Sequence, residues 1–224
     1  MAVPGRRNGL EEDEHDDDNA LFEENGLEMD LEDDTPPHLR DLAAAAQLGD
    51  LDALRVALGF SSLYTHLSSS SLCFNFPYNL NGSIDEPVED GDTALHLACL
   101  YGYLPCVQLL LERGANLEAK DEDGAVPLHD ACAGGFTGIV QLLLDRATNI
   151  GCLRSMLDAV DAEGDTPLHH AARGEHPEVV RLLLANGASP TKTNLYGKTP
   201  RELADPETEA WRVFEVAASA ETSQ

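Results

Sequence analysis

Positive charge is what this sequence has least of: 14 Lys and Arg stand against 41 Asp and Glu, a formal net charge of -27. Without a Lys/Arg patch to neutralise a phosphate backbone, direct binding to nucleic acid is not expected. Basic proteins are the better candidates as partners. Aromatic residues are also few, at 5%, while Leu and Ala crowd the central region, which favours helices over sheets. No apolar run approaches the roughly 20 residues needed to span a bilayer. None follows Arg6 and Arg7 to make a secretory signal, so we expect no membrane insertion and a cytoplasmic or nuclear location. Cysteine is sparse and odd in number (Cys73, Cys99, Cys106, Cys132 and Cys152), which suits reduced thiols rather than a disulfide framework. Hydrophobic residues still make up 42% of 224 positions, enough for one packed domain with appendages.

What is abundant is repetition. Gly-Asp-Thr-Ala-Leu-His at 91–96 returns as GAVPLH at 124–129, GDTPLH at 164–169 and GKTPRE at 197–202. Successive copies are 33, 40 and 33 residues apart. A catalytic motif is needed once per site, so recurrence at a near-constant period points first to architecture. The residues have local reasons. Pro127, Pro167 and Pro200 fit a first helical turn, where a missing amide does no harm, and Thr166 and Thr199 are placed to cap it. Leu95, Leu128 and Leu168, with Ala98, Ala131 and Ala171 three residues on, make a small apolar stripe that lets helices approach closely. Gly102 and Gly135 suit a left-handed helix end, after which VQLLL or VRLLL opens a second apolar helix.

A 33-residue period carrying T-P-L-H followed by small residues resembles the ankyrin repeat. The resemblance covers 39–217 and implies an all-α ankyrin-repeat solenoid of helix-turn-helix units with β-hairpin tips. The expected division is an N-terminal capping repeat at 39–59, an insertion at 60–81, repeats at 89–121, 122–161 and 162–194, and a C-terminal cap at 195–217 that starts as a repeat and then loses its apolar face. Within the second repeat, the seven residues beyond the period fall around 147–159 and read as a loop. The 60–81 insertion holds five of the chain's twelve aromatics. Two departures stand out: Val126 replaces the Thr of T-P-L-H, and Glu175 occupies the turn position of Gly102 and Gly135.

Residues 1–38 form a different region, in which acidic runs flank Leu21, Phe22, Leu27, Met29 and Leu31; such blocks of like charge resist compaction. We expect a disordered acidic tail there and a short disordered tail at 218–224. Residues 11–34 also allow an alternative function, a chaperone-like or inhibitory tail that shields a basic client.

Candidate chemistry is sparse. His96-x-x-Cys99 and His129-x-x-Cys132 recur at 33 residues and suggest zinc, hence a metal-dependent enzyme as a further alternative. Metal donors must converge to about 2.0 to 2.3 Å, whereas equivalent residues on stacked helices are roughly 8 to 10 Å apart. The structural reading therefore prevails: no metal, no cofactor and no catalytic residue is expected, and there is no P-loop, H-E-x-x-H or G-x-S-x-G. The resemblance implies that His96, His129 and His169 hydrogen-bond within and between the turns opening each repeat. It also implies that the family's variable contact positions fall at Glu89, Asp90, Asp92, Glu122, Asp123, Asp130, Glu163, Asp165, His170, Tyr196 and Lys198. Eight of these eleven are acidic. The expectation is a non-catalytic, monomeric scaffold or adaptor whose concave face takes a protein partner, with a basic segment favoured by charge.

Overall fold

Each copy of the repeated motif starts a helix because its cap residue is extended, and in three of the four a proline follows, whose missing amide does no harm in a first turn. Thr93, Val126, Thr166 and Thr199 all have extended backbones, and helices begin at Ala94, Pro127, Pro167 and Pro200. The computed structural model describes residues 37–59, 83–88 and 91–221, all within the compact unit Thr35–Gln224. The helices are α1 (Pro37–Leu48), α2 (Leu51–Ala57), α3 (Ala94–Leu100), α4 (Leu104–Glu112), α5 (Pro127–Ala133), α6 (Thr137–Ile150), α7 (Leu153–Asp158), α8 (Pro167–Arg173), α9 (Pro177–Ala185), α10 (Pro200–Leu203) and α11 (Glu209–Glu221). Among the described residues there is no strand, and no helix is long and apolar enough to cross a membrane. The expected acidic tail at 1–38 and the insertion at 60–81 lie almost wholly outside the described residues.

Contacts between elements arrange the helices in two layers. The inner layer runs α1, α3, α5, α8, α10, and the outer layer α2, α4, α6, α9, α11, each helix touching the next in its row. Inner helices of four to twelve residues are too short to persist alone, so their stability comes from stacking on neighbours. Leu95, Leu128 and Leu168, together with Ala98, Ala131 and Ala171, are buried in one continuous core that also takes Leu39 and Leu42 from the first layer. Small residues at the alanine positions let adjacent inner helices come close.

A buried histidine links each layer to the next. His96 Nδ1 accepts from the Thr93 amide at 3.1 Å, and its Nε2 donates to the Ala125 carbonyl of the following repeat at 3.3 Å. His129 repeats this with the Val126 amide (3.0 Å) and Asp165 carbonyl (3.2 Å), and His169 with the Thr166 amide (3.0 Å) and Lys198 carbonyl (3.1 Å). The hydroxyls of Thr93 and Thr166 also meet the Nδ1 of their own histidine. In the last repeat Glu202 performs the local half, accepting from the amide and hydroxyl of Thr199. This accounts for the expectation that these histidines tie repeats together.

The turns between inner and outer helices are left-handed at Gly49, Gly102 and Gly135, with φ of +67, +78 and +70°. A ring from the following repeat lies on each: Tyr103 on Gly49, Phe136 on Gly102 and the His176 imidazole on Gly135. Glycine is needed there both for its φ and for the absent Cβ. At the fourth such turn Glu175 adopts φ +57°, strained for a residue with a side chain. Glu175→Gly is therefore expected to stabilise the chain by about 1 kcal/mol, read as a higher urea midpoint at unchanged slope.

Two boundaries differ from the sequence expectation. The extra residues of the second repeat do not leave the stack as a loop. They extend α6 to Ile150, stop it at left-handed Gly151 (φ +90°) and form α7. Ala147, Met156 and Leu157 are buried, which is why this stretch folds back. Arg154 then donates to the Gly187 carbonyl at 3.0 Å and Ser155 to Glu118, bracing the repeats on either side. At the far end, the C-terminal cap keeps an apolar face: Ala210, Val213 and Phe214 of α11 are buried, α11 packs on α9, and the helix runs to Glu221 through residues expected to be a tail.

Candidate protein-interaction face

The inner helices α5, α8 and α10 are each preceded by a tight turn closed in the same way. Asp121 N–H donates to Ala125 O, Asp161 N–H to Asp165 O and Asn194 N–H to Lys198 O, at 2.9 to 3.1 Å. The first residue's side chain completes the turn: Asp121 Oδ1 accepts from Ala125 N–H (2.8 Å), Asp161 Oδ1 from Glu163 and Asp165 N–H (2.9 and 2.8 Å), and Asn194 Oδ1 from Tyr196 and Lys198 N–H (both 3.0 Å). These three residues recur at the 40- and 33-residue spacings of the main motif, so the period could have identified them. The turns support one another as well: Leu195 N–H donates to the Glu163 carbonyl at 2.9 Å.

Of the expected contact positions, Glu122, Asp123, Glu163, Tyr196 and Lys198 are exposed, and Asp92, Asp130 and His170 are half-buried. Glu89 and Asp90 lie outside the described residues. Asp165 departs from expectation: it is 0% exposed. Its Oδ1 accepts from Asn194 Nδ2 at 2.7 Å, and Oδ2 takes an ion pair from Arg173, which also reaches Glu163 at 3.5 Å. Burial of a carboxylate is tolerated here because it is paired and fully hydrogen-bonded. Beside it, His170 Nε2 meets Asp161 Oδ2 at 2.8 Å. Burial works to raise the Asp161 pKa, but the bonds from His170 and from the Asp165 and Glu163 amides outweigh it and hold the group below the ordinary value.

The second repeat has no such compensation. Asp130 stands where the third repeat has His170, Ala133 where it has Arg173, and Ala125 where it has Asp165. Asp130 Oδ2 is buried without a hydrogen-bond partner. Burial, then the like charges of Asp92 and Asp121, push its pKa from 3.8 up to about 8. A carboxyl whose folded pKa is raised contributes its full stability below the unfolded value and loses it as pH climbs toward the folded one. Asp130→Asn is accordingly expected to stabilise the chain by about 2 kcal/mol at pH 8 and hardly at all at pH 4, measured as paired urea titrations.

The His/Cys pairs are spent structurally. Both ring nitrogens of His96 and His129 are hydrogen-bonded as described above, and Cys99 and Cys132 are fully buried, with burial pushing their thiols well above the ordinary pKa. Asp161, Asp165 and His170 do bring one ligand atom each within 4.8 Å of one another. Those atoms are already committed to the hydrogen bonds and the Arg173 ion pair that hold the turn together.

The family comparisons agree with this architecture. A model of ankyrin repeats in three copies matches residues 42–153, and a single ankyrin-repeat model matches 163–195. A probable E3 ubiquitin-protein ligase, XBOS33, of Oryza sativa subsp. japonica is 42% identical over 57 residues, 23% of this chain and 11% of that protein. The similarity thus spans a small part of that relative. Ankyrin repeats are protein–protein interaction modules, and with half its length under one repeat model, a histidine tie between successive layers and a turn opening each repeat, this chain belongs to the ankyrin-repeat family.

Proposed function

We propose that the chain is a non-catalytic scaffold or adaptor whose inner-helix face binds a basic segment of a partner protein. The observation that carries this is Asp130: a carboxyl with a buried, unpartnered oxygen, acted on by Asp92 and Asp121 of its own sign, in the same repeat as the exposed Glu122 and Asp123. A Lys or Arg from outside would supply the positive charge that Arg173 supplies one repeat later. The similarity to a probable E3 ubiquitin-protein ligase covers 11% of that protein and carries neither its activity nor its partners to this reading.

Long-range attraction of this kind acts mainly on association rate and is screened by salt. With a fluorescent nona-lysine peptide, stopped-flow association is expected to slow about three- to tenfold in the Glu122→Gln/Asp123→Asn variant and to fall steeply with ionic strength. Association unchanged by the double substitution would defeat the reading.

A further inference from the structure

The exposed turns change character along the stack. Their tips read Glu122-Asp123, then Ala162-Glu163, then Leu195-Tyr196. At the acidic end the buried Asp130 oxygen is left uncompensated. In the middle, the carboxylates are engaged internally, Asp161 by a hydrogen bond with His170 and Asp165 by the Arg173 ion pair. At the far end Leu195 is 77% and Tyr196 70% exposed. Scattered surface apolar residues need no explanation, but these two are adjacent and held outward on one well-fixed turn. Asn194 Oδ1 takes the amides of Tyr196 and Lys198, and the Leu195 amide is bound to Glu163 of the preceding turn. With its backbone already fixed, Tyr196 gives up only side-chain freedom on binding, and tyrosine is among the residue types that dominate binding energy.

Building on the basic-segment reading, we infer that this face recognises a bipartite segment: a cluster of Lys or Arg seated at Asp92, Glu122, Asp123 and Asp130, and a bulky apolar side chain packed on Leu195 and Tyr196. Charge complementarity selects the first half, and the exposed apolar pair selects the second. The two ends are separated by the layers α5, α8 and α10. Two steps of roughly 8 to 10 Å each correspond to about six residues of extended chain. The apolar end sets the register, which the acidic end alone leaves free.

The test uses the full chain and four fluorescein-labelled peptides. The first is a run of three lysines followed by three Gly-Ser pairs and a tryptophan, and the second carries the same elements in reverse order. The third keeps the lysines and the long spacer but ends in alanine, and the fourth joins the lysines to tryptophan through a single Gly-Ser pair. At least one of the two long-spaced tryptophan peptides is expected to bind about tenfold tighter than the alanine peptide, and the short-spaced peptide to show no such gain. Tyr196→Ser and Leu195→Ser, both at exposed positions, should abolish the gain while leaving the alanine peptide's affinity unchanged. Equal binding of tryptophan and alanine peptides, a gain that ignores spacer length, or a gain that survives both substitutions overturns the inference alone. Failure of every peptide to bind overturns the basic-segment reading with it.

Discussion

His129→Ala is expected to cost about 4 kcal/mol of unfolding free energy, because it strips the Val126 amide of its partner, removes one of the two donors to the Asp165 carbonyl and leaves a buried cavity. His129 is 1% exposed, so water does not reach the orphaned Val126 amide without opening the joint between the second and third layers. Equilibrium urea unfolding measures the loss. His129→Gln should recover about half of it, since an amide oxygen at the third helical position also accepts from the preceding amide. The wild-type pH profile carries the same signature. Burial, with the nearby His170 adding to it, lowers the His129 pKa from 6.5 to about 4. A base with a lowered folded pKa contributes stability that is present above 6.5 and is shed as pH falls toward 4. For this one ring the loss is up to about 3 kcal/mol, and His129→Ala should flatten that acid limb.

Gly102→Ala is expected to destabilise by about 3 kcal/mol, well beyond an ordinary loop glycine. The backbone there is left-handed, which alone disfavours a side chain, and the added Cβ would enter the space held by the Phe136 ring. Since Phe136 belongs to the next repeat and also lies on Gly134, displacing it disturbs two turns together. Gly114→Ala is the control: its φ is +87°, yet nothing lies within 4 Å of the new methyl. It should show the conformational cost of about 1 kcal/mol without the steric one. Urea midpoints for the two variants separate these contributions.

Much of the fold is legible because a solenoid layer cannot bury its apolar stripe alone, so the sequence must restate the same helix starts, small residues and turn glycines at each level. Leu95, Leu128 and Leu168 could be placed in a shared core from spacing alone, as could the histidines from the family resemblance. The stretch after Ala147 was not legible, because once the period breaks, additional helix and a loop offer the same composition; burial of Met156 and Leu157 decides it. The interaction face was legible as a set of positions but not as an electrostatic pattern. Asp165 and Glu163 look alike in sequence. What separates them is Asn194, 29 residues away from Asp165: it bonds and helps bury that carboxylate, while Glu163 stays exposed at the edge of the Arg173 pair. Likewise nothing adjacent to Asp130 announces that its oxygen is unpartnered; superposing the repeats shows an acid in the place of His170, facing Asp121 where His170 faces Asp161.

The claim that the repeats are a scaffold and that the acidic inner-helix face is where a partner sits is tested most directly by titrating isotopically labelled full-length protein with the long-spaced lysine–tryptophan peptide and mapping backbone amide shifts. The account predicts the largest changes at Asp92, Glu122, Asp123, Asp130 and the 194–198 turn. Changes confined to the outer helices α4, α6 and α9, or to residues 11–34, would contradict it.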